Sequence, residues 1–340
     1  MLFGGESSEH DVSISSARNV YAAIDDEKYD VYACFIDSNG KWWLLDSFDD
    51  YNDMQSAQQL LPMMGSGGFV TLVGNKTIGI DVILPILHGQ NGEDGTVQGL
   101  AQLAHIPIVG CDVTASSIAM NKLATKEILA ANGIKITPYE VHRSYDELPD
   151  FNKLSMTLGS PLFVKPARSG SSVGVSKVYT ENEFVAALDE AHKHDSIALI
   201  EQAITGRELE VAVLGTPPNH LVSGIGEIIP GADFYSYDDK YDANSSAQVD
   251  VDPTIADELK SRIQQIAKKT YEVLDCRGLA RVDFLVDGDD VYILEVNTLP
   301  GFTNISMYPK LWRQQGINYP ELIERLINDA LTSGTIKTEI

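Results

Sequence analysis

A chain of 340 residues, 44% apolar and 22% charged, has the make-up of an ordinary globular protein and length for two or three domains with buried cores. Its formal net charge of −24 excludes nucleic acid and anionic membrane surfaces as partners, because both require a basic footprint, so any anionic ligand must be held by a local arrangement. No stretch reaches the roughly 18 apolar residues of a membrane span, no basic-then-apolar leader opens the chain, and Cys34, Cys111 and Cys276 lie far apart without a CxxC pair, which together suggest a cytoplasmic protein with reduced thiols.

Residues 1–3 end a short first strand, and Gly4-Gly5 leads into a helix over 12–24. A glycine turn before a helix presents backbone N–H groups to an anion. Glu9 and His10 stand at the helix entrance, where an acid also gains from the helix dipole. Residues 31–36 and 42–45 pattern as strands joined at Asn39-Gly40, the dipeptide that most favours a tight hairpin. The polar stretch 46–68 suggests a helix with loops. The run DVILPIL over 81–87 suits a strand buried on both faces. It feeds HGQNGEDG, residues 88–95, ahead of a helix from Thr96, so His88 and the acids near it stand at the carboxyl end of a strand, where open α/β sheets take their ligands. A short strand over 107–110 closes this domain, and a helix carrying Met120-Asn121-Lys122 and ending before Gly133 opens the next.

Residues 161–177, PLFVKPARSGSSVGVSK, read as strand, loop and strand. Lys165 ends an apolar run, and residues 170–174 offer N–H and hydroxyl donors to a phosphate chain, although a plain glycine-rich hairpin loop reads the same way. Neither GxxxxGK(S/T) nor GxGxxG is present. Thr180 and Glu183 form a capping box ahead of a helix to Lys193. Strands follow over 197–201 and 208–214, the second with Glu208 and Glu210 alternating against apolar neighbours. Residues 228–250 lose both periods and carry three tyrosines, which suggests a lid or Ω-loop. Asp252-Pro253-Thr254 opens an amphipathic helix with Leu259, Ile263 and Ile266 on its core stripe, stopped by Gly278. A last helix spans 320–331, with a frayed tail beyond Ser333.

Between those helices lies LARVDFLVDGDDVYILEVNTLPGFTNIS, residues 279–306, two apolar runs around an Asp287-Gly288 turn signal. With the turn centred near Asp289, Asp283 falls opposite Glu295 and Arg281 opposite Asn297, and the period of two puts all four on one face. Carboxylates opposed at about 5 Å repel. A hard cation between them relieves this and suits Asp, Glu and Asn oxygens; a solvated face relieved by Arg281 is the competing reading. Phe284, Val286, Tyr292, Leu294 and Val296 are expected to pack the other face.

In that order and spacing, HGQNGEDG, VKPARSGSSVG, RVDF and LEVNTLPGFTNIS resemble the ATP-grasp superfamily, and within it the D-alanine:D-alanine ligases of bacterial cell-wall synthesis, over essentially the whole chain. The resemblance implies an α/β fold, α+β in parts, of three-domain ATP-grasp architecture. Residues 1–112 would form an N-terminal open parallel-sheet domain, 113–207 the central domain and 208–340 the C-terminal domain with the lid over 228–250 and the metal site. ATP would be gripped between the last two, with Lys122, Lys165 and Ser172 on the phosphates, Glu201 and Gln202 on the adenine edge and Glu208 on the ribose. Asp283, Glu295 and Asn297 would hold two Mg2+ or Mn2+ ions. Glu9 would pair with the ammonium of the first D-alanine, Ser171 and Tyr241 would link to it as the lid closes, and His88 would orient that substrate. Lys240, Ser306 and Met307 would receive the second D-alanine, while Arg281 and the Gly301 N–H would stabilise a tetrahedral oxyanion. K+ is a candidate activator, and the resemblance also implies a homodimer.

Three positions depart from the family pattern: Asn121 stands where Met-Asp-Lys is usual, Gln202 where a lysine is common, and the first strand is short. Tyr241 favours D-alanine over D-lactate as second substrate, since relatives forming the ester carry phenylalanine there. A D-alanine:D-lactate ligase, another ATP-grasp carboxylate–amine ligase and a catalytically silent nucleotide-binding regulator are the alternatives. The last is opposed by the retention of Arg281, Ser171 and the metal ligands.

Overall fold

The computed structural model describes residues 1–229 and 248–333. Lys240, Tyr241, most of the expected lid and the tail after Ser333 lie outside the described residues. Strands β1 (Leu2–Gly4), β2 (Ala33–Ile36), β3 (Trp42–Leu45), β4 (Gln58–Met63), β5 (Gly68–Thr71), β6 (Thr77–Gly79) and β7 (Pro85–Ile86) form the N-terminal sheet in the order β6-β5-β4-β3-β2-β1-β7. Only β7-β1-β2 is parallel; β2 to β6 form an antiparallel meander, so the expected parallel sheet is a mixed one. The stretch read as helix and loops supplies a 3-10 turn, Phe48–Asn52, and then strands. Its strand signal was masked by Pro62 and by Gly65, Gly67 and Gly68, which belong to the β4–β5 hairpin rather than to a loop. Ile83 to Leu87 are buried as expected, but the ladder is only two residues long, Pro85 and Ile86 pairing with Leu2 and Phe3 of the short β1. The expected strand over 107–110 reduces to one parallel bridge, Ile83 to Ile108.

Helices α1 (His10–Ala23), α2 (Thr96–Ala104), α3 (Val113–Met120) and α4 (Lys122–Ala131) follow from the same half of the chain. The single helix expected around Asn121 is two, and Asn121 is the reason. Its backbone is extended, and its side chain accepts the Ala124 N–H as the N-cap of α4. An asparagine and an aspartate cap equally well there, so this departure from the family pattern leaves the start of α4, and hence Lys122, in place.

The central sheet is antiparallel, in the order β10-β9-β11-β8, from β8 (Tyr139–Arg143), β9 (Leu162–Pro166), β10 (Ser176–Val178) and β11 (Ile197–Gln202), with α5 (Phe151–Leu158) and α6 (Glu181–His194). The capping box of α6 forms as read: Thr180 accepts from the Glu183 N–H, and the Glu183 carboxylate accepts from the Thr180 N–H. Thr180→Ala should lower unfolding stability by about 1 kcal/mol with no change in activity, measured as a shifted urea midpoint at constant slope.

The third sheet has the order β14-β13-β12-β15-β16, from β12 (Arg207–Leu214), β13 (Leu221–Ile229), β14 (Gln248–Asp250), β15 (Leu279–Asp287) and β16 (Asp290–Asn297). Residues 228–229 and 248–250, expected as loop, are strand. Helix α7 (Asp257–Val273) begins later than Asp252-Pro253-Thr254 and buries Ile263 fully; α8 (Met307–Gln314) and α9 (Tyr319–Ser333) end the described chain. The cores do not follow the chain order. Phe3 and Val20 share one core with Tyr308, Trp312, Leu322 and Leu326: α8 packs on β12 and β13 of the third sheet, and α9 packs against α8 and α1. Ala115, Ala119 and Leu129 of α3 and α4 share another with Val211, Val282 and Phe284 of the third sheet and Tyr271 of α7.

Candidate active site

The β15–β16 hairpin turns through Gly288 and Asp289, with Gly288 at φ 55°, and pairs Arg281 with Asn297 and Asp283 with Glu295. Beyond Asp283 the register shifts, so that Phe284 faces Ile293 and Leu294 is the extra residue. This bulge inverts the alternation of β16. Val291, Ile293 and Val296 therefore reach the core with Phe284 and Val286, whereas Tyr292 and Leu294, expected there, do not. Glu295 and Asn297 stay on the face of Arg281 and Asp283. On the other side β12 puts Glu210 opposite Asp283, so Glu210, Asp283 and Glu295 form a row of three carboxylates across three strands.

One guanidinium neutralises much of that row. Arg281 Nε and Nη2 donate to Asp283 Oδ1 and Oδ2, both at 2.7 Å, and Nε lies 3.1 Å from Glu210 Oε2. Burial opposes the charge on Arg281, but Asp283 and Glu210 outweigh it and hold the group protonated. Asn297 Nδ2 donates to Asp283 Oδ2 at 2.9 Å; with its amide turned, the same residue offers an oxygen. Asp283, Glu295 and Asn297 thus supply hard oxygen donors on one face, a set that fits magnesium. Among the described residues no three His, Cys, Asp or Glu side chains converge to hold an ion alone, so substrate oxygens would complete any shell.

Lysines lie next to this face. Lys122 opens α4, where its N–H donates to Ala167 O, and its Nζ donates to Ser169 O at 2.7 Å while lying 3.6 Å from Glu295 Oε2. Lys165 on β9 and Lys126, one turn beyond Lys122, clasp the buried Glu201 of β11 at 2.9 and 3.1 Å. Burial works against both signs: it would raise the Glu201 carboxyl, which Lys165 and Lys126 bring below its ordinary value, and it lowers Lys126 despite Glu201. Gln202 follows, its N–H on Pro138 O, and Glu208 lies at the start of β12. The loop between β9 and β10 carries Ser171 and Ser172 at φ 49° and 61°, two adjacent non-glycine residues in the left-handed region, a strained turn suited to presenting consecutive N–H groups.

The N-terminal domain closes the other side. Glu9 precedes α1 and is buried; a Cβ built on Gly89 would stand 2.7 Å from its Oε2 and one on Gly170 3.6 Å, so its carboxylate lies between the loop after β7 and the serine loop. His88 is buried with both ring nitrogens engaged. Nδ1 lies 3.1 Å from Leu299 O and must donate to it, which leaves Nε2 to accept from Ser16 Oγ at 3.2 Å. Burial lowers its pKa against the pull of Glu9, so the ring is neutral. Glu93 of the same loop accepts from Gly89 N–H at 2.8 Å and Leu299 N–H at 3.2 Å; burial and Glu9 nevertheless push its carboxyl up to about 8. Gly95 at φ 95° admits no side chain, since a Cβ would stand 2.4 Å from Ser117 Oγ and 2.8 Å from Val113 O. Gly301 follows Leu299-Pro300. Ser306 stands just before α8 without a side-chain bond to it, and its Oγ accepts from Thr303 N–H at 3.2 Å.

The Met307 side chain is buried in the core against Gly226, at the start of the inward face of α8. Sequence reasoning missed Lys126 and the pairing role of Glu210, and placed Glu93 only as one of the acids beside His88. A signal existed for Lys126, four residues after Lys122 on one helix face, and for Glu210, alternating with Glu208. None pointed to the partner of Glu93, Leu299, which lies 206 residues away.

Two family models match the chain: the D-ala D-ala ligase N-terminus over residues 1–111 and the D-ala D-ala ligase C-terminus over residues 128–328. A D-alanine–D-alanine ligase of Oceanobacillus iheyensis is 43% identical over 97% of this chain and 94% of its own length. The D-alanine–D-alanine ligase structure from Coxiella burnetii superposes with a TM-score of 0.88 at 34% identity, covering 98% of this chain and 93% of that one. The Bacillus anthracis D-alanine–D-alanine ligase complexed with ATP gives 0.74 at 30% identity, covering 98% and 97%.

Proposed function

We infer, because the chain belongs to the D-alanine–D-alanine ligase family, that it joins two D-alanine molecules with ATP to give D-alanyl-D-alanine, ADP and phosphate, a step in peptidoglycan precursor synthesis. The observation that supports it best is the closeness of Glu9, the serine loop, Lys122 and the Arg281 face, contributed by elements of all three sheets. Among the described residues no helix is long and apolar enough to cross a membrane. The same reading carries a cytoplasmic homodimer, which sedimentation at micromolar concentration tests.

In this reading Glu9 receives the ammonium of the first D-alanine and turns its carboxylate toward the nucleotide. Lys122 and Lys165 hold the phosphates, the N–H groups around Ser171 and Ser172 cover them, Glu201 and Gln202 border the adenine and Glu208 takes the ribose. Asp283, Glu295 and Asn297 would hold two magnesium ions, which when bound neutralise the charge of the moving phosphoryl group. That group passes from ATP to the first D-alanine, whose carboxylate becomes an acyl phosphate. The amine of the second D-alanine, its carboxylate received by Ser306 and Lys240, attacks the acyl carbon and loses a proton. The oxyanion so formed meets Arg281 and the Gly301 N–H, and collapse expels phosphate with the bonding pair. Tyr241 and Ser171 complete the lid contact.

Incubation with ATP, magnesium and D-alanine, with and without D-lactate, followed by mass analysis, tests this. The dipeptide should form at one phosphate per molecule and still dominate when D-lactate is present; ester as the main product near neutral pH would move the assignment to the D-alanine:D-lactate ligase.

A further inference from the structure

His88 and Glu93 hold both peptide groups of one residue on the far side of the cleft. His88 Nδ1 donates to Leu299 O at 3.1 Å, and Glu93 accepts from Leu299 N–H at 3.2 Å. Glu93 is itself fixed by the Gly89 N–H at 2.8 Å, and His88 by Ser16 and by Ser7, which donates to the His88 carbonyl at 2.7 Å. Internal hydrogen bonds brace the loop HGQNGEDG behind them. Asp94 accepts from the N–H groups of Asn91 and Thr96, and Gln98 donates to Gly92 O. Leu299 is two residues past Asn297 and two before Gly301, and its side chain is buried, so orienting its peptide planes orients the loop that carries the Gly301 N–H. Both ring nitrogens of His88 are engaged within the protein.

We propose that Glu93, with His88, is a positioning residue: the pair clamps Leu299 so that the Gly301 N–H meets the oxyanion of the second chemical step. This rests on the ligase reading above. An oxyanion donor must stand within a few tenths of an ångström of its target, and losing one costs about 10²–10³ in rate. Because that donor serves attack on the acyl phosphate rather than its formation, a loosened clamp should uncouple the two steps. The acyl phosphate would still form, and water would take the place of the second amine.

The test is Glu93→Gln, whose amide oxygen can keep the Gly89 contact but whose NH2 then faces the Leu299 N–H. Dipeptide turnover should fall about 10²-fold at nearly unchanged KM for ATP. Phosphate released per dipeptide should rise well above one. Hydrogen exchange of the wild-type Leu299 amide should be slow, and at least tenfold faster in the variant. Phosphate and dipeptide falling together at a constant ratio, or a wild-type Leu299 amide that exchanges as an open loop does, would overturn the clamp. Failure of the wild-type chain to make any dipeptide would instead sink the ligase reading.

Discussion

Arg281→Met should reduce dipeptide formation by 10³-fold or more while leaving ATP binding nearly intact, and should also destabilise the fold by about 3–5 kcal/mol. The two effects have one origin. Arg281 faces Asp283 bidentately and Glu210 at 3.1 Å in a row of three carboxylates that spans β12, β15 and β16. Methionine fills the volume but leaves the buried Asp283 and Glu210 uncompensated, and on the proposed ligase mechanism it removes the cation placed to meet the developing oxyanion. Arg281→Lys should recover much of the stability and little of the rate, because an ammonium cannot supply the two parallel N–H bonds. Steady-state kinetics with a urea titration of both variants separates the contributions. A methionine variant of near wild-type turnover would remove Arg281 from the chemistry.

Glu201→Ala is expected to be the most damaging change outside that row. Glu201 is buried between Lys126 and Lys165, and its loss leaves two ammonium groups without a counter-charge, a cost of about 3–5 kcal/mol beside weakened ATP binding. The penalty carries a pH signature. Burial already lowers Lys126 below the ordinary 10.5, with Glu201 pulling the other way. Without Glu201 the folded-state value drops further, the unfolded chain binds more protons than the folded one, and stability rises with pH until 10.5 is passed. The difference from wild type should therefore shrink between pH 7 and pH 9. On the acid side the wild type has the steeper loss. Its Glu201 value is depressed, so that stability is present above the ordinary carboxylate range and lost as pH falls through the folded value, whereas the variant has nothing there to lose. Thermal unfolding across that range, and nucleotide titration at pH 7.5, read both effects; a pH-independent difference would mean that Lys126 stays charged without its partner.

The β15–β16 hairpin marks how far the chain can be read unaided. Its opposed pairs, Arg281 with Asn297 and Asp283 with Glu295, follow from strand alternation and the turn signal, and they form. The bulge at Leu294 does not follow, and it reassigns Tyr292 and Leu294 from the core to the other face. A bulge depends on what the partner strand offers, here the fit of Phe284 against Ile293, which no local pattern encodes. Asn121 is a similar case on a helix. Its capping chemistry is legible, but whether it interrupts a helix depends on Ala167 accepting the Lys122 N–H from another sheet.

By itself the sequence determined many of the element types, the capping of α6, the opposed pairs Arg281–Asn297 and Asp283–Glu295 and, through four spaced motifs, the ligase family, because each of these is written in residues close together in the chain. Tertiary structure alone decided that α8 and α9 share a core with the first strand and α1, that Glu210 joins the carboxylate row, that Met307 turns inward and that Glu93 reaches Leu299. These rest on contacts between segments up to hundreds of residues apart, whose geometry is set by how the three sheets pack and not by any local preference.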